Sequence, residues 1–148
     1  MRIIPVFIAV CLSSLSVFAE DQVEATAKFN WMMNCQGCHQ ANGAGSKGGA
    51  PDMRGIVSKF LAVEGGREYL SQVPGVAYAP LDDQQLADLV NWLLAEYDQD
   101  HLPTNFLPFT GIEIGALRKS PLVDDAPVLR NELLVKIKKK ESKSNELR

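Results

Sequence analysis

The chain has 148 residues, three cysteines, two histidines and a formal net charge of −3. That length corresponds to one domain with a short appendage. The acidic balance argues against nucleic acid as a partner, because phosphate binding requires a basic surface.

The first nineteen residues predict a cleaved secretory signal peptide. Arg2 gives a positive start, residues 3–18 are apolar apart from three serines, and Ala19 offers a small residue for cleavage. The run is shorter than the ~20 apolar residues that a membrane span needs, which disfavours an uncleaved anchor. We therefore expect an exported, periplasmic protein that begins near Glu20 and does not associate with the membrane after cleavage.

Charge is unevenly distributed along the remaining chain. Residues 20–129 contain seven basic and fifteen acidic side chains, whereas residues 130–148 contain seven basic and three acidic ones. A basic run of this kind is typical of a solvated, frayed terminus. The alternative is a docking segment for an acidic partner or for anionic lipid.

The hydrophobic pattern after residue 20 is helical, and no segment alternates as a strand does. Asp82 and Gln85 have capping-box spacing at the start of the clearest helix, and Thr110 and Glu113 repeat that spacing. The sequence therefore predicts an all-α protein. Its expected elements are helices at 21–34, 56–60, 68–72 and 82–97, a glycine-rich loop at 42–51, a break at 73–75, a short helix opening at 110 and a last helix from about 125.

The stretch Cys35-Gln36-Gly37-Cys38-His39 is a C-x-x-C-H motif, the attachment signature of c-type haem. Two thiols three residues apart on a helical turn can form thioethers with the two vinyl groups of one porphyrin. The imidazole that follows is then carried to the iron as an axial ligand. Cys35, Cys38 and His39 are therefore the candidate residues for one covalent haem.

Three other interpretations of the motif are weaker. A thioredoxin-like redox pair requires a βαβ setting, which the helical pattern does not provide. A zinc site would need a fourth ligand, and His101 is the only further histidine. A simple local disulfide would leave His39 without a role.

Residues 21–98 resemble a class I cytochrome c domain. The resemblance is carried by a helix that leads into C-x-x-C-H, by the glycine-rich loop, by "GGAPDMRG", which is similar to the family's G-x-P-x-L-x-G stretch, and by the amphipathic helix that follows. It implies a small helical domain at 20–99 around one covalently bound haem c and its iron, with a C-terminal extension at 100–148.

The resemblance also implies roles for two further residues. The Pro51 carbonyl would accept the free ring N–H of His39, the bond that orients a ligating histidine. Trp92 would lie where the first and last helices of the domain cross.

The chain departs from the family pattern at the second axial ligand of the iron. Family members usually supply a methionine from the loop before the last helix of the domain, but here that loop reads "SQVPGVAYAP". The candidates that remain are Met53, in a slot where the family usually has leucine, and His101, with Tyr78 as an outlying alternative. An open position is the further alternative.

Two functions follow from that coordination position. With two strong axial ligands the protein would be an electron carrier between other redox proteins, a periplasmic dehydrogenase as donor and an oxidase or another cytochrome as acceptor. With an open position it would bind or sense small gases or peroxide. The sequence offers no convincing set of catalytic residues, so we expect a carrier and not an enzyme.

Overall fold

The computed structural model describes residues 6–146, with side chains from Glu20 onward. Every regular element within that range is helical, which confirms the predicted all-α class. In chain order the helices are α1 (Val6–Asn34), α2 (Gln36–His39), a 3₁₀ segment (Ser58–Ala62), α3 (Gly66–Gln72), α4 (Pro74–Ala77), α5 (Asp83–Asp98), a second 3₁₀ segment (Gln99–His101), α6 (Gly111–Leu117) and α7 (Ala126–Glu146).

Helix α1 begins earlier than the sequence predicts. It starts at Val6 and runs without interruption to Asn34, so residues 6–19 of the predicted signal peptide are helical. Residues 1–5 of that segment lie outside the described residues. Among residues 6–146, no helix is both long enough and apolar enough to cross a membrane.

The core is organised around the contact between α1 and α5. Ala27 and Trp31 are buried on α1, and the rings of Trp31 and Trp92 lie 6.1 Å apart between their centroids. This is the crossing that the resemblance implies for Trp92. Leu86 and Leu94 lie on the inner face of α5 and are almost completely buried, as the helical spacing of apolar residues predicts.

The predicted capping box at the start of α5 is confirmed. The Gln85 backbone N–H donates to the Asp82 side chain at 2.8 Å, and the Asp82 N–H donates to the Gln85 side chain at 3.3 Å. Both bonds satisfy donors that a helix N-terminus otherwise leaves unpaired.

The prediction of a break at residues 73–75 is wrong in part. Val73 leaves helical geometry, with φ −57° and ψ 138°, and ends α3, but Pro74 then opens the short helix α4. A proline is well tolerated at the first helical position, since its missing N–H would have no partner there and its fixed φ already suits a helix.

The segment after α5 belongs to the same core. Thr110 caps α6 by accepting from the Glu113 N–H at 3.2 Å, as its spacing predicts. Helix α6 packs on α5 and α3, while α7 packs on the first 3₁₀ segment and on α3. Phe109, Ile114 and Leu133 are each at most 2% exposed and join the cluster that contains Trp31.

Candidate functional site

The C-x-x-C-H motif begins at Cys35, the turn residue between α1 and α2, and its other four residues form α2. The Cys35 N–H donates to the Trp31 carbonyl at 2.9 Å, and the N–H groups of Cys38 and His39 donate to the Cys35 carbonyl at 3.2 and 3.0 Å. The first cysteine thus continues α1, while the second cysteine and the histidine follow within one turn. This geometry holds two thiols and an imidazole on one short piece of helical backbone.

A tight glycine loop follows the motif. Gly45 has φ +64°, and a Cβ built there would collide with the Ala50 carbonyl oxygen, so only glycine fits. The Gly45 N–H donates to the His39 carbonyl at 3.0 Å, and the Ser46 N–H donates to the Ala50 carbonyl at 2.9 Å. The loop therefore folds back against the motif and brings Pro51 beside His39.

The half-buried His39 ring lies beside aromatic side chains. Its centroid lies 5.8 Å from that of Trp31, which in turn lies 5.0 Å from that of Tyr97. The ring nitrogen Nδ1 is buried without a hydrogen-bond partner among the described residues. Burial is the larger influence and lowers the pKa of His39. The nearby Pro51 backbone has the opposite, smaller effect on this pKa, although its contact with the ring falls outside ordinary hydrogen-bond geometry. A lowered pKa favours the neutral imidazole, the form that binds a metal.

The two thiols of the motif differ in their surroundings. Cys35 is partly buried and Cys38 is exposed, and both are free. Burial, with a smaller contribution from Cys38, raises the pKa of Cys35 to about 11. A redox-active pair depends on a lowered thiol pKa, so this environment argues against the thioredoxin-like interpretation. No three His, Cys, Asp or Glu side chains in the described part of the chain come together as a metal site.

The candidates for the second axial ligand lie in different settings. Met53 is 9% exposed and belongs to the core cluster, and its N–H donates to the Gly43 carbonyl at 3.0 Å. His101 lies in the 3₁₀ segment after α5, where its Nδ1 pairs with the buried carboxylate of Asp98. The other Asp98 oxygen accepts from the Ser58 N–H at 2.8 Å. Both candidates remain predictions.

Tyr78 lies in a third place, at the end of α4. Its side chain is 62% exposed, although the flanking residues Ala77 and Ala79 are buried. The backbone around it is held by Arg118, whose guanidinium donates to the carbonyls of both alanines. No sequence signal indicates this role of Arg118, since an isolated arginine before a proline-containing turn is indistinguishable from a surface charge.

The helical fold and the C-x-x-C-H turn correspond to the class of small helical haem proteins. Residues 23–65 match the family described as Cytochrome c. The chain is 35% identical over 106 residues to cytochrome c-552 of Thermus thermophilus, an alignment that covers 60% of this chain and 81% of that protein. It has the same identity to a second cytochrome c-552 of the same species, of which it covers 72%. The chain belongs to the cytochrome c family.

Membership of this family implies a covalently bound haem c and a role in electron transfer. The residues present fit such a group. Two free thiols and an imidazole lie within one turn, and the imidazole has a buried nitrogen for which the described chain supplies no aligned partner. When bound, the haem supplies an iron that gains and loses single electrons.

Proposed function

We propose that this chain is an exported, periplasmic electron carrier whose haem is held by Cys35 and Cys38 as thioethers and by His39 as an axial ligand. Residues 20–99 would form the haem-holding domain and residues 100–148 its extension. Export would leave residues 1–19 behind as a signal peptide. The Pro51 carbonyl would orient His39 by accepting its second ring N–H.

The observation that carries this proposal is the environment of His39. The ring packs against Trp31 and has one nitrogen directed into the protein next to Pro51, and its partial burial lowers the pKa, which favours the neutral form. A ligating histidine needs such fixation, since the nitrogen that does not bind the metal sets the orientation of the one that does.

The partners that fit this role are other redox proteins, with a periplasmic dehydrogenase as donor and an oxidase or another cytochrome as acceptor. Cys38 is exposed, so a haem attached there would have an edge near the surface. Transfer of single electrons requires such an accessible edge and no chemical transformation of a substrate. A carrier of this kind needs no catalytic residues.

The test is to express the chain with a haem-attachment system and compare it with His39→Ala and with Cys35→Ser combined with Cys38→Ser. We expect the parent to carry one haem by mass and to be reduced and reoxidised reversibly. The double serine variant should lose the covalent haem. His39→Ala should retain it but lose the low-spin spectrum, because an axial ligand is gone. A parent chain that attaches no haem would refute the proposal.

A second function is favoured by one observation, the settings of the three candidates for the second axial position. Met53 is packed in the core, the Tyr78 side chain is 62% exposed, and His101 follows the C-terminal end of α5, which reaches the His39 side of the molecule. The alternative is therefore a haem protein that binds small gases or peroxide. Addition of CO to the ferrous protein distinguishes the two functions, since a strongly held second ligand prevents the formation of an adduct.

A further inference from the structure

The guanidinium of Arg118 binds the backbone that connects α4 to α5. Its Nε donates to the Ala77 carbonyl at 3.0 Å, Nη2 donates to the Ala79 carbonyl at 2.6 Å and Nη1 donates to the Leu81 carbonyl at 2.9 Å. Nη1 also lies 3.3 Å from the Asp83 carboxylate. The side chain is 16% exposed. One largely buried arginine therefore holds three alternate carbonyls of a five-residue segment.

The other backbone bonds of this segment are local. The N–H groups of Ala77, Tyr78 and Ala79 donate to carbonyls of Val73, Pro74 and Val76, all within three or four residues. Those bonds shape the turn but do not attach it to the rest of the protein. Arg118 follows α6 and is 37 to 41 residues away along the chain, so its charge-assisted bonds add long-range hydrogen bonds to the core packing of Ala79 and Leu81.

This attachment matters because of where the segment lies in the fold. The C-terminal part of α5 reaches the His39 side of the molecule, where the Tyr97 hydroxyl donates to the Ala41 carbonyl at 3.1 Å. Residues 77–81 precede the opposite, N-terminal end of α5. The family resemblance assigns residues 71–80, which include most of this segment, to the face of the haem opposite His39. Here the segment has no methionine to bind the iron.

We propose that Arg118 is a positioning residue that fixes residues 77–81 at the second face of the haem, where an iron–methionine bond would otherwise restrain them. It would thereby determine how readily small molecules reach the iron. This inference rests on the proposed function, since it requires a haem held from the His39 side. It assigns to the C-terminal extension a part in the haem site itself, through a single side chain.

The experiment measures CO association with the ferrous, haem-loaded full-length protein by rapid mixing. Arg118→Ala releases three carbonyls, so we expect the association rate to rise several-fold as the segment loosens. Arg118→Lys keeps the charge but cannot reach all three carbonyls from one ammonium, so its rate should be intermediate. Glu113→Gln is the matched control, because it weakens the attachment of α6 to Arg67 of α3 without touching residues 77–81.

The outcomes separate this inference from the proposed function. Absence of covalent haem in the parent, measured by mass before any kinetics, is a failure of the proposed function. With haem present, an unchanged or slower rate in the Arg118 variants overturns the inference, whether the parent binds CO or excludes it. An equal rise in Glu113→Gln also overturns it, since any loosening of α6 would then suffice. If Arg118→Ala does not retain haem, Arg118→Lys decides alone.

Discussion

Arg67 is a single residue that attaches the C-terminal extension to the helical domain, mainly through its pair with Glu113. Arg67 on α3 donates through Nε and Nη2 to the two carboxylate oxygens of Glu113 on α6. Its Nη1 donates to the Leu107 carbonyl at 2.8 Å, and its guanidinium carbon lies 3.8 Å from the centroid of the Phe109 ring. Bidentate geometry of this kind is favourable even where the pair is partly exposed.

This pair predicts a pH dependence of stability. The hydrogen bonds from Arg67 are the main cause that lowers the pKa of Glu113 below its ordinary value of 4.5. A carboxyl group with a lowered pKa stabilises the fold above its unfolded-state pKa, and that contribution is lost as the pH falls through the lowered value. We expect Glu113→Gln to reduce the free energy of unfolding by about 0.5–1 kcal/mol near neutral pH. In urea denaturation at a series of pH values, the difference from the parent should shrink as the pH falls through the lowered pKa of Glu113.

The control for that experiment is Asp52→Asn. Arg54, through its side-chain hydrogen bonds first, lowers the pKa of Asp52 to about 2, but the two residues are close in sequence and the pair is exposed. Such a local contact also forms in the unfolded chain, so its net effect on folding is small. A Glu113→Gln variant that matched Asp52→Asn at every pH would show that the longer-range pair contributes nothing.

Two glycines of the loop after His39 are needed for different reasons, one because a side chain would collide and the other because of its backbone conformation alone. Gly45 and Gly48 both have positive φ, but a Cβ at Gly45 would collide with the Ala50 carbonyl oxygen, whereas one at Gly48 would meet no atom within 4 Å. We expect Gly48→Ala to cost about 1 kcal/mol in unfolding free energy from strain alone. Gly45→Ala should cost more and should also lower the yield of attached haem, measured by absorbance per protein. Equal effects would contradict this distinction.

At the scale of elements, α7 is held by one apolar stripe. Leu133 and Ile137 are buried, whereas Val128 and Val135 on the same helix are 60% and 68% exposed. The Lys140 ammonium donates to the Ala62 carbonyl, and Lys59 pairs with Glu141 at 2.8 Å. The basic end of the chain is helical as far as Glu146. Polar contacts, as well as core packing, attach it to the first 3₁₀ segment.

This burial pattern predicts that two substitutions in α7 will differ greatly in their effect on the free energy of unfolding. Leu133→Ala empties a fully buried site and should lower the free energy of unfolding by about 2–5 kcal/mol. Val135→Ala removes an exposed side chain and should change it by no more than about 0.5 kcal/mol. Chemical denaturation of both variants gives the comparison. Similar values for the two variants would mean that α7 does not pack in solution as described.

The elements that can be predicted from the sequence are those with local causes. The capping box at Asp82 and the Thr110 cap depend on residues three positions apart, and the helical face of α5 depends on periodic spacing alone. Helix α4 escapes prediction because proline terminates helices as well as starting them. The roles of Arg67 and Arg118 could not be predicted, because their partners lie 37 to 46 residues away and depend on the packing of α6.

The candidate site likewise has one part that the sequence predicts and one part that depends on long-range packing. Cys35, Cys38 and His39 lie within one turn, so their spacing alone indicates the chemistry. A second axial ligand must come from a distant part of the chain, and its identity depends on how α4, α5 and the extension pack together. Asp98, which engages His101 and also accepts from the Ser58 N–H, is an example of a long-range contact that no spacing rule reveals.

At the scale of the whole molecule, the two ends of the fold share one hydrophobic cluster. It extends from Trp31 on α1 through Leu94 on α5 to Ile137 on α7. Asn91 of α5 adds a polar connection, since its side chain donates to the Phe109 carbonyl at 2.9 Å and accepts from the Phe109 N–H at 2.8 Å. A core without an internal boundary is expected to unfold in one step.

This continuity predicts that the extension and the haem-holding domain unfold together. Trp31 and Trp92, the only tryptophans, report on the contact between α1 and α5, while far-UV circular dichroism also reports on α6 and α7. In haem-loaded protein the two signals should give the same denaturant midpoint, and Leu133→Ala should lower both by the same amount. If the dichroism changes before the tryptophan emission, or if Leu133→Ala moves only the dichroism midpoint, the extension is a separate folding unit. In that event Arg118 could leave its carbonyls while the haem domain stayed folded, and access to the iron would depend on the stability of the extension alone.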